Sequence, residues 1–162
     1  MIDAASFKAG MRQLSAGVTL VTTQTADGKR SGLTATAVSS VSAEPPILLV
    51  CINQQNGSYA AIREAGRFAV NVLAAEDIDL SNRFASAVSG DERFEHGDWS
   101  TLSTGAPVLA SALTSFDCTL LEMKDMGSHG VFFGRIEAVK VRDDDAQPLL
   151  YGKGNYGTLQ AL

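Results

Sequence analysis

Residues 115–141 read SFDCTLLEMKDMGSHGVFFGRIEAVKV, two long runs rich in apolar side chains on either side of a glycine-containing turn. This arrangement predicts a long antiparallel pair of strands, Ser115 to Met126 and Val131 to Val141. The apolar alternation slips at Leu120-Leu121 and again at Ala138-Val139. Because a bulge adds one residue to one strand and bends it, these slips predict the curvature that a barrel needs.

Four further segments have the composition of strands. Val18 to Thr25 and Arg30 to Val38 flank Asp27-Gly28, which is a strong hairpin signal, and Ile47 to Ile52 and Phe68 to Leu73 are apolar runs. Strands and helices do not alternate strictly along the chain. The sequence therefore predicts a mainly β fold, an antiparallel β-barrel with a few short helices, rather than a doubly wound sheet.

Three short helices are expected: one from Ser6 that ends at Gly17, one from Ser58 to Ala65, and one from Glu76 to Ala85. The first places Phe7, Met11 and Leu14 on one apolar face. In the second, Ser58 is the predicted N-cap and Gly66 lies just beyond the last turn.

The composition suits one globular domain over residues 1–162, with 45% hydrophobic and 19% charged residues. Thirteen Lys and Arg against 18 Asp and Glu give a net charge of −5 without a basic run, so neither nucleic acid nor a membrane surface is an expected partner. The N-terminus lacks signal-peptide features and no apolar stretch is long enough to cross a bilayer, which predicts a cytoplasmic location. Cys51 and Cys118 lie in separate apolar runs and are expected to be reduced.

Residues 34–46, TATAVSSVSAEPP, carry hydroxyls and small side chains without a charge before the glutamate. Small side chains let a flat molecule approach the backbone, and hydroxyls and main-chain N–H groups supply hydrogen bonds around its rim. An edge strand that leads into a loop has the same composition. The next apolar run ends at Asn53, and Gly57-Ser58 then open a helix whose N-terminus suits an anion, so the combination favours a cofactor site.

Other kinds of active site find little support. Gly152 to Gly157 spells G-x-G-x-x-G, but too few residues follow for the helix that this dinucleotide motif requires, so a loop is expected. His96 and His129 stand apart, and neither C-x-x-C nor H-E-x-x-H occurs, so no metal site is predicted. No P-loop motif and no G-x-S-x-G nucleophile turn is present.

Several linked segments resemble, in order and spacing, the short-chain flavin reductase family, the reductase components of two-component flavin-dependent monooxygenases. These segments are GVTLVTT at 17–23, the 34–46 run, CIN at 51–53, FAVNVL at 68–73, GSH at 127–129 and PLLY at 148–151. The resemblance extends from about Phe7 to Gly157. It implies a split β-barrel that forms a homodimer, with the flavin near the subunit interface.

The resemblance also implies an NAD(P)H:flavin oxidoreductase, in which NADH or NADPH donates a hydride to FMN or FAD and a separate monooxygenase receives the reduced flavin. Two alternatives remain open. One is a flavin-dependent oxidase or reductase of another small substrate on the same barrel, such as a pyridoxamine-phosphate oxidase-like protein. The other is a flavin carrier without turnover.

The residues that the resemblance implies at the flavin are Thr34, Ala35 and Thr36 at the isoalloxazine, Ser39 and Ser40 beside the ring and ribityl chain, and Cys51, Asn53, Asn56 and Ser58 along the ribityl chain and phosphate. It implies that His129 lies beside the nicotinamide, although Ser128 stands where the family often has an acidic residue or threonine. A guanidinium such as that of Arg83 suits a flavin phosphate. Tyr156 and Lys153 are expected to border the active site, and Asn71 to make a structural hydrogen bond inside the barrel.

Overall fold

The computed structural model describes residues 1–88 and 90–161. In that part of the chain the strands are β1 Ala16–Gly17, β2 Thr19–Gln24, β3 Arg30–Ala35, β4 Val38–Ala43, β5 Pro46–Asn53, β6 Arg67–Val72, β7 Trp99–Thr101, β8 Pro107–Leu109, β9 Thr114–Met126, β10 His129–Val141, β11 Leu150–Gly152 and β12 Asn155–Gly157. The helices are α1 Ala4–Met11, α2 Gly57–Ala65 and α3 Ile78–Ala85, with 3-10 helices at Ala75–Asp77 and Gly90–Glu95.

Seven strands form one antiparallel sheet in the order β3-β2-β6-β9-β10-β5-β4. Val21 and Leu33 near one end of this order share a buried core cluster with Leu48 and Val50 near the other end. The sheet therefore curls around its own apolar face, while β3 and β4 end the strand order as unpaired edges within the described residues. This confirms the predicted mainly β, antiparallel fold with a few short helices, and the opening between β3 and β4 is the split of the barrel.

Two bulges bend the long pair of β9 and β10. The register shifts between Phe133 and Gly134, which leaves Leu121 unpaired on β9, and between Ile136 and Ala138, which leaves Glu137 unpaired on β10. The first bulge falls at the predicted slip, and the second falls one residue before the prediction. Next to the first bulge, a Cβ on Gly134 would lie 2.5 Å from the ring of Phe68, so only glycine lets the bent strand close onto the core.

All three helix starts differ from their predictions, and α3 begins at Ile78 rather than Glu76 because a 3-10 helix, Ala75–Asp77, precedes it. Helix α1 begins at Ala4, where Asp3 accepts a 2.7 Å hydrogen bond from the N–H of Ser6, and it ends at Met11, before Gly17, with Arg12 as its C-cap. Helix α2 is capped by Asn56 rather than Ser58, because the Asn56 side-chain oxygen accepts from the Ser58 N–H at 2.9 Å. An asparagine side chain offers the same kind of acceptor as a serine, so the cap falls earlier in the chain than predicted.

The predicted apolar face of α1 is present but has no core beneath it in this chain. Phe7 is 55% exposed, Met11 48% and Leu14, just beyond the helix, 64%. Neighbouring exposed apolar side chains of this kind are common where a folded chain contacts another molecule.

Asn71 confirms its predicted structural role. It is fully buried on β6, donates to the Leu20 carbonyl at 3.2 Å and accepts from the Leu109 N–H at 2.9 Å and the Ser115 hydroxyl at 2.8 Å. One side chain thus satisfies polar groups of β2, β8 and β9, which a buried apolar residue would leave unpaired.

Residues 152–157 form a hairpin rather than the expected loop. β11 and β12 pair antiparallel around Lys153 and Gly154, whose φ values are 52° and 83°. Positive φ at both central residues is the geometry of a tight two-residue turn that matches strand twist. Because β1 pairs with β11, the hairpin is fixed to the body of the chain.

Cys51 and Cys118 are free thiols, as predicted. Across residues 1–88 and 90–161, no helix combines the length and apolar character needed to span a membrane. The same residues contain no group of three or more His, Cys, Asp or Glu side chains placed to hold a metal ion.

Candidate active site

The end of β5 lies between two segments of the predicted site. These are the connection from β3 to β4 and the turn that carries His129. The Cys51 N–H donates to the Ala37 carbonyl at 3.0 Å, which places residues 36–37 beside β5. On the other side of β5, Asn53 lies opposite His129 in the ladder with β10. Residues 36–37, the end of β5 and the start of β10 therefore lie side by side, although they are far apart in sequence.

Side-chain alternation sorts these residues between the two faces of the sheet. Val50 and Ile52 are fully buried, so the odd-numbered positions of β5 and their ladder partners point away from the core. Four predicted site residues share this outer face: Ser39, Cys51, Asn53 and His129. Ser40 lies opposite buried Leu48 and therefore points to the other face.

A cavity of about 250 Å³ opens at the end of β3. Its lining, which we call the Thr36 cavity, comprises Val18, Thr34, Ala35, Thr36, Ala85, Tyr151 and Tyr156. The Thr34 hydroxyl donates to the Ser81 carbonyl at 2.7 Å and so ties β3 to α3. The Tyr156 hydroxyl lies 2.8 Å from the Ser81 hydroxyl and 3.1 Å from the Asn82 side-chain oxygen. The structure thus gathers four of the predicted residues, Thr34, Ala35, Thr36 and Tyr156, around one space.

A second cavity of about 330 Å³ shares two lining residues, Thr36 and Tyr151, with the first. We call it the α1 groove, and its other lining residues are Phe7, Lys8, Met11, Arg12, Leu14, Gly152, Lys153 and Gly154. It therefore joins the exposed apolar face of α1 to the edge of the Thr36 cavity, with three basic side chains at its rim. Lys153 lies in this groove rather than in the Thr36 cavity.

The start of α2 is organised by local hydrogen bonds. The buried Ser58 hydroxyl lies 2.9 Å from the Ser31 hydroxyl and links α2 to β3, while the Asn53 side chain accepts from the Gln55 N–H at 2.9 Å. Ser58 is therefore a structural link here, and its own N–H is already used by Asn56. An open cavity beside α2 is lined by Lys29 and Arg30 but also by Asp27 and Glu64, and Lys29 pairs with Asp27 at 3.1 Å. The side-chain charges of this cavity are therefore balanced, and the N-terminus of the helix itself is the feature that favours an anion.

The contacts of Arg83 do not fit the predicted phosphate-binding role. Its guanidinium donates to the carbonyls of Glu92 and Arg93 and pairs with the Glu95 carboxylate at 3.4 Å. It lines a different cavity, together with His96. Arg83 thus holds the 3-10 helix Gly90–Glu95 that follows α3, and no local sequence pattern indicates a contact between these two elements.

His129 is exposed at the start of β10. Its Nδ1 lies 2.9 Å from the Ser128 hydroxyl, and the Ser128 carbonyl accepts from the Gln54 N–H at 3.0 Å. The turn that carries the imidazole is therefore attached to the turn that precedes α2. With Nδ1 within hydrogen-bonding distance of the Ser128 hydroxyl, Nε2 is the ring nitrogen available to a further partner.

Sequence reasoning missed several residues at or beneath the site. Tyr151 lines both cavities, and the PLLY segment that contains it was a usable signal. Ser81 and Asn82 support Thr34 and Tyr156 from α3, but two polar residues in a short helix give no sign of such partners. Their roles follow only from the three-dimensional packing.

The chemistry of the Thr36 cavity fits a flat, uncharged ring system. Its described lining offers hydroxyls, small side chains and two tyrosines without a charged group. Polar atoms around the edge of an isoalloxazine need neutral hydrogen-bonding partners, and small residues let its face lie against the backbone. The anion-favouring start of α2 lies at the opposite end of β3 and suits a phosphate.

Comparisons with known proteins agree with this chemistry. A model of the flavin reductase like domain matches residues 11–160. The FMN reductase (NADH) RutF 1 from a strain of Methylorubrum extorquens is 43% identical over 158 residues, which cover 98% of this chain and 78% of that protein.

Two solved structures have the same fold. A Haemophilus somnus 129PT protein assigned as a flavin reductase superposes with a TM-score of 0.93 and 39% identity, covering 98% of this chain and 100% of that one. BorF, the flavin reductase component of a bacterial two-component tryptophan halogenase, superposes with a TM-score of 0.89 and 29% identity, covering 99% and 100%.

Proposed function

This chain belongs to the flavin reductase like domain family, and we propose that residues 1–162 form one such domain that reduces FMN with NADH. The observation that carries the proposal is the continuity of the site. The Thr36 cavity, the connection at residues 36–37, the end of β5 and His129 follow one another across neighbouring segments, so a flavin and a nicotinamide nucleotide can be held side by side.

The choice of FMN and NADH rests on the relatives. RutF 1 of Methylorubrum extorquens carries both in its name, and its similarity extends over 98% of this chain. FAD and NADPH are the alternatives that direct comparison of substrates would reveal.

The chain contributes binding and orientation. The bound flavin supplies the hydride-accepting chemistry. Thr36, with the small Ala35 beside it, gives the ring a close and uncharged surface, and Tyr151 and Tyr156 form another part of the cavity wall. His129 donates or accepts a hydrogen bond through Nε2 at the nicotinamide nucleotide, and no side chain has to supply a proton in the hydride step.

The functional unit is a homodimer in this proposal. The α1 groove carries exposed Phe7, Met11 and Leu14 and runs into the Thr36 cavity through Thr36 and Tyr151. A second copy that covers this apolar surface would also complete the wall of the flavin site.

We further propose that reduced flavin passes to a separate flavin-dependent monooxygenase. BorF, to which this chain is similar over 99% of its length, is the reductase component of a two-component halogenase. The open split of the barrel gives the flavin a route out of the site, as delivery to a second protein requires.

The experiment that tests the function is steady-state NADH oxidation by the purified protein with FMN added. Turnover that saturates in both FMN and NADH supports the proposal. Tight FMN binding without NADH oxidation would instead identify a flavin carrier.

A further inference from the structure

A side chain of α2 reaches across the sheet to the hairpin that carries His129. The Tyr59 hydroxyl donates a 2.7 Å hydrogen bond to Oδ1 of Asp125 on β9. The ring of Tyr59 packs edge-on against Phe132 on β10, with centroids 5.4 Å apart and planes at 82°. Tyr59 therefore contacts both strands on either side of the Gly127-Ser128 turn.

Gly130, the residue after His129, makes this contact possible. A Cβ at this position would lie 2.6 Å from the Tyr59 ring and 3.4 Å from Asp125 Oδ1, closer to the ring than side chains tolerate. Gly130 pairs with Asp125 on one side and with Ile52 on the other. The tyrosine thus lies directly over the backbone that leads into His129.

The hydroxyl and the ring of Tyr59 have separable roles. The ring packs against Phe132. The hydroxyl lies at the exposed end of the contact, and within the described residues its hydrogen-bond partner is Asp125. The hydrogen bond to Asp125 raises the pKa of Tyr59, which keeps the phenol protonated as the donor. Removing the hydroxyl therefore removes the link to β9 and leaves the ring in place.

We propose that Tyr59 and Asp125 are positioning residues, which hold the His129 turn at a fixed place relative to the start of α2. The inference rests on the proposed function, in which α2 lies at the flavin phosphate and His129 at the nicotinamide nucleotide. Through this pair, the two ligand-binding elements share one rigid contact. Without it, the turn keeps its backbone attachments to Gln54 and to β5 but gains mobility, and the loss of that added mobility when the nucleotide binds weakens the affinity.

The test compares Tyr59→Phe and Asp125→Ala with Asp125→Asn, which keeps an oxygen acceptor for the phenol. We expect the first two to weaken calorimetric binding of NAD⁺ to the FMN-loaded protein, and to raise KM for NADH, by about two- to ten-fold, as losing one ordered contact predicts. Their kcat and FMN affinity should stay within about two-fold of the parent. Asp125→Asn should restore most of the NAD⁺ affinity, and the Tyr59→Phe/Asp125→Ala double variant should bind no worse than either single variant.

Thr114→Val is the matched control, since it removes one hydroxyl hydrogen bond, to the Lys140 carbonyl, at the far end of the same hairpin. It should leave NAD⁺ binding unchanged. If NAD⁺ binding is unchanged in Tyr59→Phe and Asp125→Ala but weakened in His129→Ala, the inference is wrong, while the placement of the nucleotide at His129 stands. Unchanged binding in His129→Ala as well would overturn the placement of the nucleotide at this turn, and the inference with it.

Discussion

His129 lies directly opposite Asn53 in the ladder between β10 and β5. The same ladder end is reinforced by the hydrogen bond from the Gln54 N–H to the Ser128 carbonyl. The turn with the histidine and the turn that leads into α2 therefore form one edge of the barrel. Residues from two distant motifs thus lie together at the place proposed for the two ligands.

For His129→Ala, we expect KM for NADH to rise by about three- to ten-fold while FMN affinity stays nearly unchanged, because an interaction made equally in the ground and transition states is lost. Steady-state kinetics and fluorescence titration of FMN measure the two quantities. Loss of FMN binding with normal NADH kinetics would place His129 at the flavin instead.

For Thr36→Val, we expect FMN binding to weaken by roughly 1 to 3 kcal/mol, since a buried polar atom of the ligand would lose its partner. The comparison is Thr101→Val, an exposed threonine on β7, away from the Thr36 cavity. Equal FMN affinity in the two variants would remove Thr36 from the flavin site. The exposed Ser39 hydroxyl, which bonds only weakly to the Ser40 carbonyl at 3.2 Å, permits the same comparison with Ser39→Val.

Strand positions could be predicted from the sequence because apolar alternation and turn residues are local signals. The bulge at Leu121 and the capping glycine Gly66 fell where expected for that reason. The hairpin at 152–157 was missed, since Lys153 is an unusual residue for a positive φ and only Gly154 signalled a turn.

The site was harder to predict than the strands. The run at 34–46 could be recognised by its composition, and the structure places its first three residues around one cavity with Tyr156. The partners of Arg83, the link between Ser58 and Ser31, and the contact of Tyr59 with Asp125 depend on packing between distant segments, which no local pattern encodes.

The proposed homodimer predicts a mass near twice the 17.0 kDa of the chain in light scattering of the FMN-loaded protein. Phe7→Glu places a charge on the exposed apolar face of α1 and should shift the protein toward the monomer and weaken FMN binding. Leu159→Glu, at an exposed position near the C-terminus, should do neither. A fully active monomer would contradict a flavin site at a subunit interface.

The two cysteines should differ in reactivity. Burial, followed by the charge of Asp117, raises the pKa of the Cys118 thiol from 9.0 to about 12. Near neutral pH, about one thiol per folded chain, that of half-buried Cys51, should therefore react with a chromogenic thiol reagent. After denaturation, about two thiols per chain should react. Two fast-reacting thiols in the folded protein would contradict the buried position of Cys118.

The same shift predicts a pH dependence of stability. Since the folded chain holds the Cys118 proton more tightly than the unfolded chain, the unfolded thiol ionises first as the pH rises above about 9. The free energy of unfolding should fall between about pH 9 and 12, and Cys118→Ala should lose this part of the dependence. Urea unfolding of both proteins across that range measures the difference.

The central claim, that this chain reduces flavin with NADH, is tested most directly by anaerobic mixing of NADH with excess FMN and a catalytic amount of protein. We predict loss of the oxidised-flavin absorbance at a rate proportional to protein concentration, with one FMN reduced for each NADH consumed. A rate equal to that of the protein-free mixture would contradict the claim.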